Sequence, residues 1–351
     1  MMPTSFLERM YGTHMENKGN NREVFKPMES SADTYATNLV FNDVSIRINS
    51  HRSFVDNTFE NLKDAITGME IDEKYQHVDG IIEYIVGEDI NISYLSDEQR
   101  LIITGPIRMF GNGTSIAFTA HYMAECLRAD KSGLMLVHSA AVKLPEQDKS
   151  YVFLGEKGAG KTTLALRLCH QYGYSLIGND QVYMGSNDTS ELITESGNAW
   201  FNVRETAISA DPYIARLLGK PQNLNKPSWN NKITVLPESI GVSTCERQLL
   251  VKEVFHVRID HSQPDLLAMA WHGLQRNLIL HERFGRHITG QATPFQDDYG
   301  NYLGSLPPVN LEAALKARDK LVSLVIKTGV TEIFSPDSDS AVDFIHAKEN
   351  E

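Results

Sequence analysis

Gly155, Glu156, Lys157, Gly158, Ala159, Gly160, Lys161 and Thr162 satisfy the pattern G-x-x-x-x-G-K-[ST] in full. Each residue type answers a demand of phosphate chemistry. Glycines let the backbone approach an anion with no Cβ in the way. Successive amides then form an anion-binding nest, reinforced by the N-terminal end of a following helix. Lys161 would reach the terminal phosphates, the Thr162 hydroxyl would ligate Mg2+, and Thr163 completes the nucleotide-binding run. From average residue frequencies, a chain of this length shows the pattern by accident roughly once in a hundred times. An apolar run, "YVFL", precedes the loop and a helical pattern, "TLALRL", follows it. Binding of a nucleoside triphosphate is therefore the expectation. No N-K-x-D motif for reading guanine is present, and nothing in these residues separates ATP from GTP.

A second chemistry lies nearby. Asp180 stands nineteen residues after Lys161, at the end of the run "YSLIGND". Open α/β sheets place ligands at the carboxyl ends of strands. A carboxylate there could accept a hydroxyl proton or coordinate Mg2+, and the residues leave both roles open. His138 follows the apolar residues of "LMLV"; it reads either as a satisfied core histidine or as a donor to phosphate. Arg204 reads either as a clamp on a transferring phosphate or as a surface arginine paired with Glu205 or Asp211. Lys157 touches phosphate or solvent.

The segment 271–287 gathers Arg276, Arg283, Arg286, His272, His281 and His287, but no histidine pair has the i,i+4 spacing of a helical metal site. It reads chiefly as a solvated helix face that leaves one arginine for an anionic ligand. Trp200, Trp229 and Trp271 read as packing residues rather than base-stacking platforms.

The elements that must position these groups can be outlined. After a polar lead-in over 1–34, the runs "FNDVSIRI", "GIIEYIVG", "INISYL", "RLIITG" and "IRMFG" predict a small antiparallel sheet. A helix is predicted over 114–129, with Thr114 or Ser115 as its cap. Together they suggest an N-terminal α+β domain over 35–130. Beyond it, "LMLVHSAAV", "SYVFLG", "YSLIGNDQVYM", "KITVLP" and "VKEVFHVRI" predict one larger sheet, with helices after the glycine loop and around 265–284 and 310–328. The Asn-, Ser- and Pro-rich stretch 185–232 predicts long loops around a site. A polar tail is expected over 341–351.

The strand with a histidine, the glycine loop and the strand with an acid come in one order. They are Val137-His138-Ser139-Ala140-Ala141-Val142, the loop above, and Gly178-Asn179-Asp180-Gln181-Val182. This arrangement resembles the HPr kinase-related branch of the phosphoenolpyruvate-carboxykinase-like fold, over roughly 134–184 and more loosely to about 335, and the terminal "TGVTEIFSPDSDSAVDFI" is similar to the closing strand and helix of these kinases. The resemblance implies an α/β fold with a kinase core over 131–340. It also implies roles for matching residues: His138 near the transferring phosphate, Lys161 on phosphate, Thr162 on metal, and Asp180 on the acceptor hydroxyl or on metal. Asn179 stands where the family has the first of two acids. The segment "FNVRET" falls where the family has E-I-R-G, so Arg204 matches the arginine and Asn202 replaces the metal-binding glutamate. The HPr-recognition signature is absent, so the resemblance is not to a true HPr kinase. Relatives often assemble, and a homo-oligomer is implied on that ground.

The bulk numbers narrow the partners. The chain has 351 residues, 41% of them hydrophobic and 22% charged, the balance of a soluble globular protein. A formal charge of −12, from 33 basic and 45 acidic residues, is opposite to that of a general nucleic-acid binder. No apolar run approaches the roughly 20 residues that span a bilayer, and no secretory signal is evident. Cys126, Cys169 and Cys245 form no CxxC pair, which fits a cytoplasmic protein without structural zinc. The expected function is an ATP- and Mg2+-dependent kinase acting on a hydroxyl of a small metabolite. A serine or threonine of a peptide and a catalytically weak nucleotide-binding regulator stand as alternatives.

Overall fold

The structure, a computed structural model, describes residues 34–51, 68–72, 77–106, 116–220, 227–285, 288, 294–296 and 302–350. The lead-in 1–33, the run "IRMFG", the caps Thr114 and Ser115, and the residues Arg286 and His287 lie outside them. The chain forms two compact units, one of residues 1–127 with 289–310 and one of 128–288 with 311–351. Residues 289–310 thus interrupt the continuous stretch 131–340 read from the sequence.

In the first unit, β1 (Thr34–Phe41) and β2 (Val44–His51) form a hairpin closed at Asn42 and Asp43. The run "FNDVSIRI" is therefore not one strand. Asn42 takes the left-handed conformation that asparagine tolerates in tight turns. Next come β3 (Met69–Ile71), β4 (Gly80–Val86), β5 (Asn91–Leu95), β6 (Arg100–Gly105) and α1 (Ile116–Lys131). The sheet order is β3-β1-β2-β4-β6-β5. It is mixed rather than antiparallel, because β2, β4 and β6 run parallel. Alternation works as the pattern demands: Ile82 and Tyr84 on β4 and Leu101 and Ile103 on β6 are buried, against Ala120, Met123 and Leu127 of α1.

The second unit contains β7 (Met135–Val137), β8 (Ala140–Lys143), β9 (Lys149–Leu154), α2 (Lys161–Tyr172), β10 (Ser175–Gly178), β11 (Val182–Ser186), β12 (Leu192–Gly197) and β13 (Phe201–Arg204). Then follow α3 (Glu205–Ala210), α4 (Pro212–Leu217), β14 (Lys232–Val235), β15 (Leu249–Ile259), β16 (Leu267–Ala270) and α5 (Leu274–Gly285). The ribbon β17 (Pro294–Gln296) and β18 (Tyr302–Ser305) clusters with the first unit. The chain closes with β19 (Val330–Ser335) between α6 (Leu311–Thr328) and α7 (Ser338–Ala347).

The main sheet runs β10-β8-β9-β15-β12-β11-β7, with β19 on β15 and β16 on β19. Its centre, β9, β15 and β19, is parallel. Such strands are buried on both faces, and their residues alternate between two cores. Tyr151, Phe153, Phe255 and Val257 join α2 and α7 on one face. Val152, Leu154, Val251 and Val254 join α5 and α6 on the other. Each such fully buried side chain contributes about 1.5–3 kcal/mol relative to exposure.

"LMLVHSAAV" is two strands, broken at His138 and Ser139. "KITVLP" does not extend the main sheet but pairs with β13 in a separate ribbon. The stretch 185–232 is not chiefly loop, since it holds β12, β13, α3 and α4. Residues 267–270 form a strand ahead of α5, so the helix begins later than 265. The polar tail is largely helix: Ala341, Val342 and Ile345 recur at helical spacing and are fully buried. No helix among the described residues is long and apolar enough to cross a membrane.

Candidate functional site

Sheet curvature builds the site. β7 follows β11 at one end of the sheet order, while β8 and β10 lie at the other. Yet only His138 and Ser139 separate β7 from β8, and only Asn179, Asp180 and Gln181 separate β10 from β11. The sheet must curl until its ends nearly meet, and each short crossing carries one predicted residue. That is how His138 and Asp180, far apart in sequence, come within electrostatic reach of each other.

The Asp180 turn is held firmly. Asn179 N–H donates to the Asn198 carbonyl and Asn198 N–H to the Gln181 carbonyl, each at 3.0 Å. Asp180 itself has φ +66°, a conformation uncommon for a residue with a Cβ and frequent where function sets the geometry. Asn179 is fully buried, and neither atom of its amide has a partner among the described residues. A second acid at that position would be a buried unpaired charge, a cost that the neutral amide avoids.

The ribbon β13–β14 faces Asp180. Its register pairs Asn202 with Thr234 and Arg204 with Lys232, placing all four side chains on one face. Phe201, Val203 and Val235 alternate onto the other face and enter the core. Lys232 Nζ lies 3.2 Å from Asp180 Oδ2, and Asn202 Nδ2 donates to the same oxygen at 3.4 Å. Thr234 Oγ1 donates to Asn202 Oδ1 at 3.2 Å and orients that amide. Burial pushes the Asp180 carboxyl up, but Lys232, His138 and Lys161 outweigh it and hold the group below its usual value.

The glycine loop joins β9 to α2. Gly160 caps the helix at φ +101° with no side-chain acceptor on the first-turn amides, which are the groups that bind anions at helix starts. Lys161 is nearly buried, and its Nζ donates to the Gly155 and Glu156 carbonyls at 3.0 Å each. Burial draws its pKa down to about 8; Asp180 opposes that shift and Arg283 reinforces it. Arg283 reaches in from α5, with Nη1 donating to the Gly155 carbonyl at 2.8 Å and Nη2 paired with the Glu156 carboxylate. The segment 271–287 is therefore not simply a solvated face: Arg283 braces the loop while Leu280 and Phe284 are buried.

Arg204 pairs with neither Glu205 nor Asp211. Its guanidinium lies over the Trp229 ring, 4.7 Å from the centroid, and donates to the Trp229 carbonyl. Asp211 instead takes the buried Arg167 at 3.1 Å, together with the hydroxyl of Ser338. Glu205 Oε2 accepts from Ser228 N–H at 2.9 Å, and Oε1 accepts from Asn231 Nδ2 at 3.1 Å. Trp229, anchored this way, lies on the glycine loop: a Cβ added to Gly158 would come within 2.0 Å of its ring. The packing expectation suits Trp271, which is buried and stacked on His256, but not Trp229, which is 47% exposed.

No protein-family model matches the chain. No curated protein matches it either. Among solved structures, the HPr(Ser) kinase/phosphatase from Coxiella burnetii is similar at TM-score 0.25 and 13% identity, over 39% of this chain and 77% of that one. A likeness at that level carries no inference about activity or site chemistry. The second unit is an α/β fold with a curled mixed sheet and several helices.

Structure thus gathers Asp180, Lys161 and His138 electrostatically and brings Arg204 to the loop through Trp229. Lys232 was missed as a site residue, while Arg283 and Trp229 were named but read chiefly as part of a solvated helix face and as a packing residue. Lys232 had a legible signal, since it sits at alternate spacing in "KITV", but nothing in sequence pairs that run with "FNVR". Among the described residues, no three of His, Cys, Asp or Glu are grouped to hold a metal.

Proposed function

We propose that this chain is a phosphotransferase that carries the γ-phosphoryl group of ATP to a hydroxyl of a small metabolite such as a nucleoside, sugar or amino-acid intermediate. The observation that carries this reading is Asp180, a carboxylate at a short crossing of the sheet, within electrostatic reach of the glycine-loop lysine and ringed by Lys232, Asn202 and His138. Phosphoryl transfer needs positioning and charge neutralisation more than covalent chemistry, and these groups supply both.

The loop amides and Lys161 would hold the triphosphate. Lys232 and His138 would stabilise charge on the transferring group, and Asp180 would orient the acceptor hydroxyl and take its proton. Arg204 belongs to this scheme through Trp229 rather than as a direct clamp on phosphate. Thr162 and Asp180 suit Mg2+, which takes one or two carboxylates and completes its shell from phosphate and water. Bound with the triphosphate, it supplies charge neutralisation on the phosphate oxygens. A serine or threonine of a peptide would meet the same groups.

One observation favours a nucleotide-binding regulator instead: Asp180 is engaged by Lys232, and Asn179 adds no second acid. The test is transfer of label from γ-labelled ATP, with Mg2+, to pools of nucleosides, sugars, amino acids and hydroxyl-bearing peptides. Transfer that Asp180→Asn abolishes without weakening nucleotide binding, and that Lys161→Ala abolishes together with binding, supports the kinase. Wild-type transfer by the Asp180 variant removes that residue from the mechanism. Tight binding with neither hydrolysis nor transfer in any pool favours the regulator.

A further inference from the structure

Trp229 combines features that packing alone does not explain. Its indole edge lies against the crest of the glycine loop at Gly158, where the ring rests directly on backbone because no Cβ intervenes. Nearly half of the residue is nonetheless open to solvent. An indole buries a large apolar surface when it can, so a half-exposed one beside a ligand loop is a surface ready to be covered. The ring is also not loose. Arg204 covers it at 4.7 Å and holds its carbonyl, and Glu205 ties down Ser228 and Asn231 on either side. Asn231 in turn accepts from Glu205 N–H at 3.1 Å, which closes the turn onto the start of α3. A ring fixed by its neighbours presents its open surface without paying ordering entropy when a partner arrives.

We propose that Trp229 is the nucleobase platform of this protein: the open surface of the indole stacks on the base of a nucleotide whose phosphates occupy the glycine loop. This rests on the reading of that loop as a nucleotide site. It also assigns a role to the Arg204–Glu205 pair, which positions the platform. Stacking on an aromatic ring tolerates any base and favours the larger purines, so no hydrogen-bonding motif for the base is needed in the sequence.

The experiment measures binding of ATP and of inorganic tripolyphosphate to the full chain and to Trp229→Ala and Trp229→Phe. Base–aromatic stacking is worth enough that Trp229→Ala should weaken ATP about tenfold. Tripolyphosphate should be unchanged, and Trp229→Phe should retain most of the ATP affinity. Equal loss for both ligands would mean that Trp229 only props the loop, and equal gain would mean that it obstructs it; either overturns the platform. Unchanged ATP binding in Trp229→Ala overturns it too. If the wild type binds neither ligand, the nucleotide reading itself fails, a result separate from the other three.

Discussion

Gly158→Ala puts the geometry of the loop to a quantitative test. Two costs are built into the site. First, Gly158 has φ +86°, where an L-residue with a Cβ costs about 1–2 kcal/mol. Second, the new methyl would sit 2.0 Å from the Trp229 ring, so the ring must retreat by about 1.5 Å to reach ordinary contact. That retreat disturbs the Arg204 stack, worth roughly 0.5–1 kcal/mol at an exposed site. The sum is about 2 kcal/mol. Urea denaturation of four proteins separates the parts: wild type, Gly158→Ala, Trp229→Ala and the double variant. In the Trp229→Ala background only the backbone cost should remain, so the two substitutions should be non-additive by about the value of the lost stack. A Gly158→Ala protein as stable as wild type, or strict additivity in the cycle, would refute the placement of the ring on the loop.

Arg167 is almost fully buried, donating to Asp211 and to Ser338, so Arg167→Met strands a buried carboxylate and should cost about 3 kcal/mol in urea denaturation. The loss stays at the lower end of the range for broken buried pairs because Asp211 also caps α4 through Tyr213 N–H and Ile214 N–H. His256 is partly buried and stacked on Trp271; burial, then Arg283, lowers its pKa to about 4, with Lys161 adding to the shift and Glu156 opposing it. A histidine depressed in the folded state stabilises fully above its unfolded value near 6.5, and that contribution is lost as pH falls from there toward 4. At pH 5 the loss is up to about 2 kcal/mol. Glu332, beside it and raised by burial, works in the opposite direction, so the measurement is the stability difference between pH 7 and pH 5 in wild type against His256→Gln. A variant with the same pH dependence as wild type would remove His256 as the source.

How much of this was legible in advance depends on whether the signal was local. The glycine loop, the helix that follows it and the buried strand before it were readable because backbone conformation, capping and apolar periodicity act over a few residues. Asp180 and His138 were readable as candidates because each ends an apolar run. The break inside "LMLVHSAAV" was not, since a buried strand and two buried strands have the same composition. The helix α7 was expected only through the family resemblance, because its polar face masks the spacing of Ala341, Val342 and Ile345.

The amino-acid sequence by itself determined a glycine loop of the pattern G-x-x-x-x-G-K-[ST], an acid placed soon after it and a negative net charge. Tertiary structure decided what those residues face. The curl of the main sheet brought its two short crossings together, the β13–β14 ribbon turned Lys232 toward Asp180, and α5 delivered Arg283 to the loop. Arg204, open in the sequence between a phosphate clamp and a surface arginine, lies over the Trp229 ring and donates to its carbonyl. The physical reason is range. Propensity and periodicity act between neighbours in the chain, whereas ion pairs and stacking act between neighbours in space, and those are chosen only when the cores on both faces of the sheet close.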